Sequence, residues 1–407
     1  MKTFLRSSPE RLPMTLPKHI LISLGVFFLT VVPGLAQSGT SINSYVDKVM
    51  QLVEEHRQET QRLSAPAELT FKAIVGGGRL FLGGKNRAWI EEGDGRAGGL
   101  TGIRTLASPD GTRKGDVVWL SYSSADYAEE LSVAKRLEDK GCLVFAFGPR
   151  PPDKPAGFTH WIKSSTPWQD TENLGLMGNI LSLWTLTAEL TAYASRQGRT
   201  FAFYQSDSVE GARERNHLYE GIVFHDGVPS MAAVPAGVLS HSYLDYIKRV
   251  LDQISVNEMG KIVRTGQEIG HRAATGHPAV MTGIGHMLNY IFADKNEPFV
   301  YMDIQTERKA LESTLGRDGY LVFLGYVAVP LDLWRSARRA GAKAVWIVAP
   351  LPNEIDFGQF GDVVIDQHWR IGDCSVTVPG YDVRILPPSG IAQVFILEIM
   401  KRAAAAR

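Results

Sequence analysis

Gly115 to Gly148, GDVVWLSYSSADYAEELSVAKRLEDKGCLVFAFG, decides how the rest of the chain is read. Val117-Val118-Trp119-Leu120 is a short apolar run of the kind a buried parallel strand needs. Ser121-Tyr122-Ser123-Ser124 follows at once, and an amphipathic helix is expected from about Asp126 to Lys140. Gly141 ends that helix, and Leu143-Val144-Phe145-Ala146-Phe147 is the next strand. Hydroxyl residues at a strand-to-helix turn suit an anion cradle, because helix N–H groups and serine hydroxyls then point at one spot. The same serines would also serve as plain helix caps, and both readings stay open here.

Upstream, Tyr45, Val46, Val49, Met50 and Val53 recur at helical spacing, and the helix runs on toward Arg62. A second helix over Pro66 to Ile74 leads to Gly76-Gly77-Gly78. Arg79-Leu80-Phe81-Leu82 reads as a strand, followed by the loop Gly83-Gly84-Lys85-Asn86. A helical turn then carries Trp89, Glu91 and Glu92 to Gly95-Arg96-Ala97-Gly98-Gly99. Downstream, Pro149 to Pro167 is loop-rich, and Asn173 to Arg196 is a long apolar helix. Periodicity lapses from Phe201 to Gly237.

Then the pattern restarts. Ser242-Tyr243-Leu244-Asp245 echoes Ser44-Tyr45-Val46-Asp47. Ala279-Val280-Met281-Thr282-Gly283-Ile284-Gly285-His286 echoes the strand and glycine loop at Leu80 to Asn86. Tyr320 to Tyr326 echoes Val117 to Tyr122, and Ala337 to Gly341 echoes Ala134 to Gly141. The pairs lie about 200 residues apart, too far for a solenoid repeat. The expected fold is therefore α/β, with two tandem three-layer domains, each a mostly parallel sheet flanked by helices. We place them at residues 41–200 and 238–403, with 201–237 as a linker.

Of the 407 residues, 44% are hydrophobic and 21% charged, and the formal net charge is zero. Nothing in that balance favours nucleic acid or an anionic membrane as partner. Cys142 and Cys374 are too few for a disulfide scaffold or a cysteine zinc site. Lys2, Arg6, Arg11 and Lys18 precede the apolar run Ile20 to Val32, which is short for a membrane span. Pro33-Gly34-Leu35-Ala36 offers small residues for cleavage after Ala36, so residues 1–36 read as a signal peptide and the chain as exported.

The order of glycine loop, acidic-Arg-Ala-Gly-Gly segment and serine-rich turn resembles the SIS (sugar isomerase) domain, present as two tandem copies. Glu91-Glu92-Gly93-Asp94-Gly95-Arg96-Ala97-Gly98-Gly99 looks like one family segment, and Ser121-Tyr122-Ser123-Ser124-Ala125-Asp126 like the family's phosphate loop. Gly283-Ile284-Gly285-His286 is close to its Gly-x-Gly-His form. Four departures stand out, the first being Lys85-Asn86-Arg87 where the family's first loop often carries serine. Ser124 replaces a usual glycine, Asp126 replaces a usual threonine, and Leu324-Gly325-Tyr326-Val327-Ala328 has no hydroxyl but that of Tyr326.

The resemblance implies binding of a phosphorylated or acidic sugar derivative, with aldose–ketose isomerisation as the activity to look for. An isomerase needs a base, an acid and a held anion. Glu92 is the candidate base, and Arg96 its alternative partner in a structural pair. His286 is the candidate ring-opening acid or hydroxyl ligand. Ser121, Ser123, Ser124, Gly83, Gly84, Lys85, Asn86, Gly283 and Gly285 are the expected binding residues. No cofactor is implied: Gly76-Gly77-Gly78 precedes its strand, whereas a dinucleotide fingerprint follows one. His271, His277 and His286 match no metal spacing. The implied partner is a small sugar derivative, with an internal pseudo-dimer or a homo-oligomer as the assembly. Two alternatives stay open: a periplasmic two-lobe solute-binding protein, which would pass strands back and forth between its lobes, and a non-catalytic structural protein with SIS-like domains.

Overall fold

Trp119 and Phe145 sit at matched positions on neighbouring parallel strands, as the two apolar runs require. The computed structural model describes residues 33–152, 157–170, 173–226, 231–277, 279–291, 299–303, 308–315, 319–326, 331–349, 362–370 and 372–406. The expected targeting run Ile20 to Val32 and the turn residues Val327 and Ala328 lie outside them.

The first half opens with helices α1 (Pro33–Glu59) and α2 (Ser64–Val75). Then come β1 (Leu80–Gly84), α3 (Arg87–Gly93), β2 (Ile103–Thr105), β3 (Val117–Ser121), α4 (Tyr127–Asp139), β4 (Leu143–Gly148), β5 (His160–Lys163) and α5 (Gly175–Arg196). After α6 (Ala212–Tyr219) the second half follows as α7 (Val238–Asn257), α8 (Met259–Ala274), β6 (Ala279–Gly283), α9 (Leu288–Ile291) and β7 (Phe299–Tyr301). It ends with α10 (Arg308–Leu315), β8 (Tyr320–Leu324), α11 (Leu331–Ala340), β9 (Lys343–Val348), β10 (Val363–Asp366) and α12 (Ser389–Ala405). α1 thus runs through the cleavage point expected after Ala36. Among the described residues no helix is long and apolar enough to cross a membrane.

The strands form two five-stranded sheets, β2-β1-β3-β4-β5 and β7-β6-β8-β9-β10, with every strand pair parallel. The order is the same in both, and each sheet takes its strands from one continuous part of the chain. The crossing pattern of a two-lobe binding protein is not seen among the described residues.

Strand periodicity assigns the layers. Leu80, Leu82, Val117, Trp119, Phe145 and Phe147 face the large inner core, while Phe81, Val118, Leu120 and Val144 face outward onto Ala134 and Leu137 of α4. In the second sheet Met281, Val322 and Ile347 face inward, and Leu321, Phe323 and Trp346 meet Leu311, Leu333 and Ala337 of α10 and α11. Both sheets are therefore covered on both faces, as parallel sheets are. The inner core is continuous from Ile42 to Ala404, so the two halves share it. In α5, 18 of 22 residues are buried, which places this helix in the middle of the shared layer. Its threonines stay satisfied there because Thr185, Thr187 and Thr191 donate to carbonyls four residues back.

Residues 201–226 are not a free connector: Leu100 pairs with Phe203 and Phe201 with Phe224, and Thr101 Oγ1 donates to the carbonyls of Ala202 and Ile222. Cys142 and Cys374 are both buried free thiols, so no bond joins them.

Candidate functional site

Parallel strands all deliver their following loops to one edge, and the expected site residues gather there. β1 and β6 end in glycines for the same reason. A Cβ on Gly84 would lie 2.3 Å from the Ser121 carbonyl oxygen, and one on Gly283 would lie 2.0 Å from that of Leu324. Gly84 is in register with Ser121 and Gly283 with Leu324, so the close approach occurs at the same place in each sheet.

In the first half the turn after β3 lines a cavity of about 490 Å³. Ser123, Ser124 and Ala125 form one wall, with Asn86, Trp168 and Asn179 beside them. Val394, Leu397, Glu398 and Lys401 of α12 close it from the other half. Asn86 also caps α3, its Oδ1 accepting from Trp89 N–H at 3.1 Å. The turn itself is internally bonded. Ser123 N–H donates to the Asp126 carboxylate, and Ser123 Oγ accepts from Ala125 N–H at 3.2 Å. Ser121, by contrast, is fully buried beneath the cavity, where its Oγ accepts from Asn179 Nδ2 at 2.9 Å. Ser123 and Ser124 line the cavity, and Ser121 is not among the residues that do. Lys85 pairs with Glu129 on the surface, and Gly83 packs against Leu106 and Leu120.

Between the halves lies a buried charge cluster. Arg96 Nη1 is 2.8 Å from Glu92 Oε2, and Arg96 Nη2 is 3.2 Å from Asp373 Oδ2. Trp184 Nε1–H donates to Glu92 Oε1 at 3.2 Å, and Ser389 Oγ–H donates to Asp373 Oδ2 at 2.8 Å. The first turn of α12 reaches this cluster because residue 390 is glycine; a Cβ there would sit 2.4 Å from Glu92 Oε1. Burial pushes the Glu92 carboxyl up to about 7, against the pull of Arg96. Burial raises Asp373 as well, again opposed by Arg96. Ser389 N–H donates to Asp373 Oδ1 at 3.2 Å, so the group that caps α12 comes from the preceding loop.

Above the cluster a cavity of about 570 Å³ is lined by His286, Tyr326, Trp369 and Asp373, and by Gln205 to Ser208 from the segment between the halves. Gly283, Gly285 and His286 also line an adjoining hollow of about 270 Å³ with Asp303. Burial, and then Arg96, lower the His286 imidazole to about 3. A neutral imidazole suits a hydroxyl ligand and gives no imidazolium to open a ring. Glu92 is sealed at 0% exposure and lines neither large cavity. The structure thus brings Glu92 and His286 close to Arg96 but separates both from the Ser123–Ser124 turn.

Sequence reading missed Asn179, Asp170, Trp168, Glu398 and Lys401, all of which line the serine cavity. Asn179 carried the only signal of these, as an amide directly before the largely apolar run Ile180 to Leu186. Among the described residues no cluster of His, Cys, Asp and Glu is placed to hold a metal.

No family model matches this chain, and no curated protein matches it. Among solved structures it is similar to the C-terminal domain of glucosamine-fructose-6-phosphate aminotransferase from Francisella tularensis, at 8% identity and TM-score 0.48, covering 90% of this chain and 96% of that one. It is also similar to a protein assigned to sugar binding from Salmonella typhimurium LT2, at 10% identity and TM-score 0.48, covering 90% and 99%. A protein assigned as a phosphosugar isomerase from the same organism gives 15% identity and TM-score 0.47, covering 84% and 92%. Likeness at this level assigns no activity.

Proposed function

We propose that this chain binds a sugar derivative in the cavity at the carboxyl ends of its first sheet. One observation carries the reading: the hydroxyl turn Ser123–Ser124 lines a cavity of about 490 Å³ at the edge where open parallel sheets hold their ligands. Trp168 supplies a flat apolar wall, and Ser124, Asn86 and Asn179 supply polar groups around it. The motif resemblance to SIS domains points the same way, and the matching sheet orders support reading the halves as two copies of one unit. The motifs resemble those that hold a phosphorylated or acidic sugar, and Lys401 is the one cation that lines this cavity among the described residues. Isomerisation would need a base other than Glu92, which is sealed off from the cavity. We also propose export, on the strength of the N-terminal apolar run and the small residues after it.

The test is calorimetric titration of the purified protein with hexoses, amino-hexoses and hexose phosphates, repeated on Ser124→Ala. Binding that weakens at least fivefold in the variant supports the site. If no sugar in the panel binds, the reading fails.

A further inference from the structure

We infer that the serine cavity selects a sugar rich in hydrogen-bond donors and free of phosphate, of the amino-sugar class. The inference rests on the reading that this cavity binds a sugar derivative, and it names which kind.

The first ground is Asn179. Its side chain is 2% exposed and lines the cavity, yet its Oδ1 has no hydrogen-bond partner among the described residues. The amide cannot be turned around. Its Nδ2 donates to Ser121 Oγ at 2.9 Å and to the Tyr122 carbonyl at 3.3 Å, and a carbonyl only accepts. The atom left over is therefore an acceptor. A buried acceptor calls for a donor, so the group seated against Asn179 is a hydroxyl or an ammonium and not the phosphate end of a ligand.

The second ground is that the protein fills its own anion positions. α4 and α5 both begin beside this cavity, and their N-terminal N–H groups would attract phosphate. In the serine turn before α4 the Asp126 carboxylate already takes the Ser123 N–H. At α5 the Asp170 carboxylate already takes the Gly175 N–H. These are independent loops, and in each a carboxylate of the chain occupies a backbone N–H that would otherwise be open to a ligand anion.

The third ground is the charge of the wall. Asp170 and Glu398 line it against one cation, Lys401, which lies 3.7 Å from Glu398. An incoming phosphate meets like charge there, with Asp126 behind the turn adding more. An ammonium group on a sugar ring meets acceptors instead.

The experiment is calorimetric titration of the purified protein with glucosamine, glucose and glucose 6-phosphate at one pH and low salt. We expect glucosamine to bind at least fivefold more tightly than glucose 6-phosphate, with glucose between them. Asp126→Asn keeps an acceptor for Ser123 N–H and removes the charge, and should narrow that gap by tightening glucose 6-phosphate. Glucose 6-phosphate binding as well as or better than glucosamine overturns this inference and leaves the sugar site standing. Failure of all three ligands to bind overturns both.

Discussion

The guanidinium of Arg96, in the first half of the chain, lies 3.2 Å from the carboxylate of Asp373, in the second. Arg96 also pairs with Glu92, so one buried cation holds two carboxylates and ties the loop after α3 to the start of α12. Removing the cation leaves both acids without compensation. Arg96→Met should therefore cost about 3–5 kcal/mol in urea unfolding. The triple variant with Glu92→Gln and Asp373→Asn should regain much of that loss, because it buries no unpaired charge. A loss under about 1 kcal/mol in the single variant would show that the cluster does not hold the halves together.

Glu92 makes stability depend on pH in a definite direction. Its carboxyl is raised by burial from 4.5 to about 7 in the folded chain. The neutral acid is favoured in the folded state, so its contribution is fully present below pH 4.5 and is lost as pH rises through about 7. Asp373 is raised too and adds to the same trend. Unfolding free energy compared between wild type and Glu92→Gln should diverge across this window, with the wild type losing on the order of 3 kcal/mol relative to the variant. Parallel curves from pH 4.5 to 7 would rule out the buried-acid account.

Much of this architecture is legible in the chain, and the reasons are local. Val117 to Leu120 and Leu143 to Phe147 are apolar on both faces because helices cover both, and Gly141 closes the helix between them at a φ of 80°. The edge strands were not legible. β2, β5, β7 and β10 are three or four residues long, and Arg104, His160 and Lys163 interrupt their apolar character. The stretch from Phe201 to Phe224 looked irregular because its pairing is by single bridges, which leave no periodicity to detect. For the site, Ser123 and Ser124 follow from the strand-to-helix turn itself. Ser121 lies beneath the cavity because strand alternation turns it inward to Asn179. Asp126 and Asp170 could not be weighed from sequence, since their effect depends on which N–H each carboxylate reaches.

Arg215 governs the wall of the larger cavity. Its Nε and Nη2 reach the two carboxylate oxygens of Asp382 at 3.1 and 3.2 Å, and its Nη1 donates to the Phe203 carbonyl at 2.7 Å. One side chain thus fastens the segment carrying Gln205 to Ser208 to the loop before α12. Arg215→Ala should cost about 2 kcal/mol and should speed proteolysis within residues 204–220 before the rest of the chain is cut. Arg215→Lys should rescue little, because an ammonium cannot make the paired contact with a carboxylate and reach a carbonyl together. Peptide mapping of a timed digest reads both expectations at once. Cleavage that starts elsewhere in Arg215→Ala, or full protection in Arg215→Lys, would mean that the bridges at Phe201 and Phe203 hold the segment without this side chain.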